Sequence, residues 1–269
     1  MRKLVGLALT AGLSLSAAAQ TVTVTLSSPQ DGQVLSPGAT VDWEISFTVS
    51  GDNAGLALLV TDLVQDPENV ALLDIPPADG VPAPMAKFSR PLGISNPGED
   101  DPITGYIGVQ RGTAGAQDLI QIGGGQNNFG VAQPPGTGIA ENAVVSGGIG
   151  QSGSEVLASG SFTVPSGGCG AYTFSLANTL ANVVTQVNSP PNFSPVTEAA
   201  VVLANGSISF SVGFVGDIDG DGTVGLADLS ALLTNYGLSG PGLEGDLDND
   251  DDVDLADLSA LLTNFGLSC

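Results

Sequence analysis

The stretch TVDWEISFTV, Thr40–Val49, carries an apolar residue at every second position: Val41, Trp43, Ile45, Phe47 and Val49. Side chains alternate between the two faces of a β-strand, so this stripe predicts a strand with one face on a core. Trp43, the only tryptophan of the chain, lies on the stripe and is expected in that core rather than on a sugar-stacking platform. Outward from it, strand-length runs recur between clusters of Gly, Pro, Asn and Asp. They are TVTVTL (21–26), LALLVTDLV (56–64), ITGYIGVQ (103–110), SGSFTV (159–164), YTFSLAN (172–178), ANVVTQV (181–187) and GSISFSV (206–212). No long segment up to residue 213 holds a 3.6-residue period. The pattern predicts a mostly-β chain with a β-sandwich body over residues 20–213. Residues 74–102 and 123–138 read as long loops, and the acidic Glu99-Asp100-Asp101 between strands reads as solvated surface.

The chain begins MRKLVGLALTAGLSLSAAAQ, a basic start, an apolar run and a small-residue cleavage site. That is the composition of a secretory signal peptide over residues 1–19, with an apolar run shorter than the ~20 residues that cross a bilayer. A secreted or cell-surface chain, with no membrane contact after cleavage, is expected. Twenty-eight acids face five bases, and removal of the leader leaves only Lys87, Arg90 and Arg111. Such a balance repels nucleic acid and anionic membranes and attracts divalent cations. There is no histidine, which excludes Ser-His-Asp and Cys-His catalysis and histidine-ligated metals. Cys169 and Cys269 are the two cysteines; a single bridge between them and two unpaired thiols both remain open at this point. The sequons at Asn192 and Asn205 offer glycan acceptors or plain surface.

Beyond residue 213 the sequence says nearly the same thing twice. Residues 217–237 and 246–266 align without gaps, identical at 15 of 21 positions. Each unit opens with oxygens at alternate positions. Loop one has Asp217, Asp219 and Asp221 at positions 1, 3 and 5 and Asp228 at position 12; loop two has Asp246, Asp248, Asp250 and Asp257. Ca²⁺ takes about six to eight oxygen ligands at roughly 2.3–2.6 Å, and a loop curled around the ion supplies alternate side chains plus the carbonyl of position 7. Thr223 and Asp252 occupy that position. The predicted cofactor is therefore two Ca²⁺ ions, held by Asp217, Asp219, Asp221, Thr223 and Asp228, and by Asp246, Asp248, Asp250, Asp252 and Asp257. Asp254 at position 9 of loop two offers a further ligand. Position 6 is Gly222 in loop one but Asp251 in loop two, and Asp tolerates the left-handed backbone needed there better than most residues. Val224 and Val253 at position 8 are expected to point inward and couple the loops.

Each loop runs into LADLSALLTN. Leu226, Leu229, Leu232, Leu233 and Tyr236, and their copies Leu255, Leu258, Leu261, Leu262 and Phe265, predict two helices with one apolar face each, stopped by Gly237 and Gly266. No entering helix precedes either loop.

A duplicated loop and exiting helix with Asp at position 12 resembles the type I dockerin, over residues 214–269. The resemblance implies a small α-helical module with two EF-hand-like calcium loops that docks, through helices 226–236 and 255–265, onto a cohesin domain of another protein. The chain departs from that family in carrying Leu226-Ala227, Leu255-Ala256, Leu233-Thr234 and Leu262-Thr263 where polar and basic pairs are common. Ala227, Ser230, Ala231 and Thr234 leave a small-residue face for close docking. The body, through residues 36–63 and 160–184, is similar to a cohesin-like jelly-roll sandwich. Together these imply a secreted non-catalytic protein that attaches to a cohesin-type or other extracellular partner. The alternative is a dockerin-bearing carbohydrate-active enzyme or carbohydrate-binding protein in polysaccharide breakdown, its chemistry resting on carboxylates. Few aromatics and no evident acid/base pair weigh against the alternative.

Loop two holds seven Asp in twelve residues with no base nearby. Their repulsion keeps a metal-free loop open, and two short helices do not offset it. The isolated fragment 216–269 is expected to be largely unfolded in chelator and to fold on adding Ca²⁺. Identical circular dichroism and amide protection in both conditions would refute this.

Overall fold

The computed structural model describes residues 20–89, 106–126, 145–188 and 194–269. The leader, Glu99-Asp100-Asp101, Arg90 and the Asn192 acceptor lie outside the described residues. Among those described, 11 strands and two α-helices follow one another. They are β1 (Thr21–Ser27), β2 (Val34–Leu35), β3 (Thr40–Val49), β4 (Leu56–Gln65), β5 (Phe88–Ser89), β6 (Ile107–Thr113), β7 (Ala116–Gln126), β8 (Glu155–Thr163), β9 (Gly170–Val184), β10 (Val196–Asn205) and β11 (Ser207–Val212). Helices α1 (Leu226–Asn235) and α2 (Leu255–Asn264) come last. The chain is mostly β, as its sequence predicts.

The strands form two layers. In the first, β3 lies between β1 and β8, with Val22, Val24 and Leu26 opposite Val49, Phe47 and Ile45. All five residues of the opening stripe are buried, Trp43 to 2% exposure. In the second, β4 lies between β7 and β9, and β6 and β5 extend the far edge of β7. Strand β10 joins the layers: Val196 to Ala199 pair with β9, and from Ala200 onward the strand pairs with β1 instead. After Gly206 the chain returns as β11 to the first half of β9, where Val212 faces Gly170. The core between the layers includes Trp43, Phe47, Leu59, Phe162, Tyr172 and Phe174.

Three expectations need correction. Residues 172–178 and 181–184 are parts of one 15-residue strand, β9, which bends at Asn178 with φ 50° and ends before residues 185–187. The glycine run opening at Gly123 is not loop but the end of β7; Gly123 has φ 100°, and a Cβ there would strike the Leu59 carbonyl of the neighbouring strand. Glycine is what permits so close a pairing. The segment after Asp74 is largely irregular, as read, but it is packed rather than free. Ile75, Ala78 and Met85 are buried, and its backbone bonds Gln117, Ile107 and Ser159, bridging both layers. Residues 90–102 and 127–138 of the two loop readings lie outside the described residues.

Asp62 pins the second layer. Its Oδ1 accepts the backbone N–H of Gln121 at 2.6 Å and its Oδ2 accepts the Asn178 side-chain amide at 2.7 Å. Gln121 and Asn178 both have positive φ, and the ladders of β4 with β7 and with β9 shift register beside Asp62. One buried carboxylate thus holds the bulges of both flanking strands. Asp62→Ala removes the acceptor of the half-buried Gln121 N–H and of the Asn178 amide and is expected to lower stability by about 1–3 kcal/mol in denaturant titration. An unchanged unfolding midpoint would show that the bulges hold themselves.

Candidate metal centre

Both acidic loops are built alike. Asp228, at the third position of α1 and 1% exposed, accepts N–H groups from Ile218 at 2.7 Å and Asp219 at 3.1 Å on Oδ1, and from Gly225 at 2.7 Å on Oδ2. Asp257, fully buried, repeats this with Leu247, Asp248 and Asp254. Each aspartate therefore caps its helix and closes its loop at once. Asp217 accepts the Gly222 N–H on Oδ2, and Asp246 accepts those of Asp250 and Asp251. Among the described residues no helix runs directly into either loop.

Carboxylate oxygens of Asp217, Asp219 and Asp228 lie within 4.8 Å of one another. In loop two they fall into two such groups, Asp246 with Asp248 and Asp250, and Asp252 with Asp254 and Asp257. Asp221 stands apart from the loop-one group, its Oδ1 accepting the Thr223 N–H. Asp217 Oδ1 and Asp252 Oδ1 are shut off from solvent and have no hydrogen-bond partner. A buried carboxylate oxygen beside other carboxylates is stable only when a cation or a proton neutralises it. All-oxygen donors of this charge fit a hard divalent ion, and the flexible geometry of such loops suits Ca²⁺. Asp254, the further candidate ligand, also caps α2, accepting the Ala256 N–H at 2.6 Å.

The loops differ in backbone comfort. Loop one turns on Gly220 and Gly222, at φ 74° and 83°. Loop two makes the same turns with Asn249 and Asp251, at φ 60° and 69°. The left-handed conformation foreseen for Asp251 is there, and a second one with it.

Electrostatics divides the aspartates. Burial raises the Asp228 carboxyl, but the N–H groups of Gly225, Asp219 and Ile218 outweigh it and hold its pKa below the ordinary value. Asp257 is held low in the same way by Asp254, Leu247 and Asp248. Asp248 and Asp252 are raised, by partial desolvation first and then by the charges of their loop neighbours, Asp250 foremost.

The helices sit differently from expectation. Leu232 and Leu261 are buried with Val224 and Val253, and Leu229, Leu258, Ile218, Leu247, Phe214 and Leu243 pack around them. Leu226, Leu233 and Tyr236 are exposed, and so are Leu255, Leu262 and Phe265. The predicted apolar face is thus only half used. With Asp228 and Asp257 obliged to face their loops, each helix is rotated so that the stripe through positions 226 and 233 points away from the core.

Segments leaving the helices pair with the opposite loop. Leu238 accepts the Val253 N–H, and Ser239 bridges Asp252; Leu267 accepts the Val224 N–H, and Ser268 bridges Thr223. Cys269 ends this second segment, its N–H bonded to the Gly222 carbonyl, and forms a disulfide with Cys169 across a Cα–Cα distance of 5.7 Å. Sequence left that pairing open. Register supplies the reason for it, since Gly170 faces Val212 and so brings Cys169 beside the start of the module.

No protein-family model matches the chain, so the dockerin resemblance stands on the loop residues alone. No curated protein matches it either. Among solved structures, the seventh ScaB type I cohesin of Pseudobacteroides cellulosolvens is similar at 14% identity, covering 71% of this chain and 92% of that one, with a TM-score of 0.37. The third ScaB cohesin of R. flavefaciens, solved in complex with a group 1 dockerin, is similar at 11% identity over 73% of this chain and 98% of that one, TM-score 0.29. No described helix is long and apolar enough to cross a membrane.

Raised pKa values at Asp248 and Asp252 mean that the folded, metal-free loop binds protons more tightly than the unfolded chain. Its stability therefore falls as pH rises through those raised values. Asp228 and Asp257 act oppositely: their contribution is present above the ordinary carboxylate pKa and is lost as pH falls through the depressed ones. Asp252→Thr, which copies loop one, removes a repelling charge from a position expected to ligate through its carbonyl. At sub-saturating Ca²⁺ it is expected to raise the thermal midpoint of the module at neutral pH, with both ions still bound at saturation. A lower midpoint, or loss of one ion, would contradict this.

Proposed function

We propose that residues 214–269 form a calcium-dependent attachment module, carried by a non-catalytic β-sandwich and acting outside the cell. The observation that carries the calcium reading is Asp217, whose Oδ1 is buried and unpartnered and whose carboxylate has an oxygen within 4.8 Å of ligand atoms from Asp219 and Asp228. Asp221, Thr223 and their loop-two counterparts Asp246, Asp248, Asp250, Asp252 and Asp257 complete the two shells. The sites sit in a module whose whole buried core is four side chains with a few half-buried neighbours, so ion binding supplies much of its folding energy. Extracellular action is supported by the Cys169–Cys269 disulfide, a bond that persists in oxidising compartments.

Attachment is supported by what the helices leave outside. Leu226 is 76% exposed and Leu255 66%, and Leu233, Tyr236 and Leu238 pair off with Leu262, Phe265 and Leu267 at similar exposure. Paired apolar groups on so small a surface mark a protein interface. No base follows Arg111 in the sequence, so the surface fits a partner with an apolar centre and a basic rim. A cohesin-type domain is the partner the dockerin resemblance favours. Leucine at positions 226, 233, 255 and 262 makes the contact apolar where that family commonly uses polar and basic pairs.

Titration of the full chain with Ca²⁺ is expected to give two bound ions, with amide protection from residue 217 onward lost in chelator and that of β1 to β11 kept. No bound calcium would refute the module. The double variant Leu226→Asp, Leu255→Asp is expected to bind both ions yet weaken calcium-dependent capture of the partner by at least about tenfold. Unchanged capture would place the interface elsewhere.

A further inference from the structure

Taking the calcium reading above as given, we propose that the Cys169–Cys269 disulfide makes the two sites unequal, so that closing or opening this bond sets the affinity of loop one and leaves loop two unaffected. Both loops are backed by a short extended segment. Residues 251–253 are backed by residues 237–240, through Gly240 N–H to the Asp251 carbonyl at 2.7 Å, Val253 to Leu238 at 3.0 Å and Gly237 to Val253 at 2.7 Å. Residues 222–224 are backed by residues 266–269, through Cys269 to Gly222 at 3.0 Å, Val224 to Leu267 at 3.0 Å and Gly266 to Val224 at 2.8 Å. The hydrogen bonds match one for one.

The anchors do not. Downstream of residues 237–240, Leu243 packs on the core of the module and holds the segment in place. Leu267, Ser268 and Cys269 are all exposed, so the anchor of the second segment is the disulfide itself. That anchor is firm, because Cys169 packs against the sandwich core and adjoins Gly170, the residue that faces Val212 at the end of β11. Loop one begins at Asp217, a few residues beyond Val212. Its entry and its backing segment are therefore fastened to the same corner of β9. Loop two has no such fastening in the described structure, and carries Asn249 and Asp251 in the left-handed region besides. A loop held near its bound shape loses less freedom on taking up the ion. Opening the disulfide loosens the groups behind the ligands, and losses behind a metal shell typically weaken affinity by roughly 10–100-fold.

The redox step balances with a dithiol as reductant. One of its thiolates attacks the exposed Cys269 sulfur and displaces the Cys169 thiolate; its second thiolate then releases Cys269 and closes the reagent's own disulfide. Two electrons and two protons pass to the cysteine pair, which leaves as two thiols.

The test is calorimetric titration of the full chain with Ca²⁺ alone, closed and opened, in two backgrounds. D246N leaves loop one as the intact site, and D217N leaves loop two. C169S and C269S open the bond without reagent, and dithiol treatment of the chain with both cysteines present opens it without substitution. Opening by any route is expected to weaken binding roughly 10–100-fold in the D246N background and to leave the D217N background unchanged. Amide exchange at saturating Ca²⁺ gives a second readout: residues 222–225 are expected to lose protection on opening while residues 251–254 do not change. Equal weakening of both sites, or of neither, with calcium still bound, would overturn the proposal and leave the calcium reading standing. No calcium binding by the closed chain would overturn both.

Discussion

Asp228 and Asp257 each gather three backbone N–H groups from the loop that precedes their helix, and the rest of each half-module is arranged around that demand. A carboxylate at the third helical position caps the helix while its other oxygen closes the loop. The side chain can meet both demands only by pointing inward, which fixes the rotation of the helix about its own axis. Leu232 and Leu261 then reach the core, and Leu226, Leu233, Leu255 and Leu262 are carried to the surface. Polar geometry thus outranks apolar periodicity here: the leucines follow the aspartate. The outward stripe is a by-product of closing the acidic loops.

The sandwich supplies what the small module lacks, a frame with a deep core. Its second layer depends on Asp62 to hold left-handed residues in both flanking strands, and its two layers are tied by β10 as it leaves β9 for β1. The return of β11 onto the first half of β9 delivers the chain to the corner where Cys169 waits. Topology, more than any local preference, decides that the C-terminal module begins and ends at the same place.

Elements whose side chains alternate cleanly were legible in the sequence. The stripe from Val41 to Val49, the TVTVTL run and the SISFSV run all lie where period-two patterning puts them. Strand β10 was missed, since half its length faces one layer and half another, and VTEAAVVLAN keeps no single alternation. Strand β7 was missed altogether, and at its end three glycines in a row imitate a loop while serving a close pairing. In the repeat, spacing gave the inward Asp228 and Asp257 and the turn at Asp251. It did not give the helix rotation, because the five apolar positions of each helix span a wide arc and nothing in their period says which half faces in. The disulfide lay beyond sequence reasoning too, its partners 100 residues apart and joined only through the register of β9 and β11.

The crossed pairing of the two half-modules also limits how the unit can multiply. Each helix is followed by a segment that completes the other unit's loop, Ser239 against Asp252 and Ser268 against Thr223. Two copies therefore satisfy each other and leave no free loop edge for a third to join. Stacked repeat proteins lengthen by adding copies to an open end; this duplication is a closed ring of obligations with a fixed membership of two. Larger valency would have to come from additional whole modules on a longer chain, never from a third loop and helix added to this one.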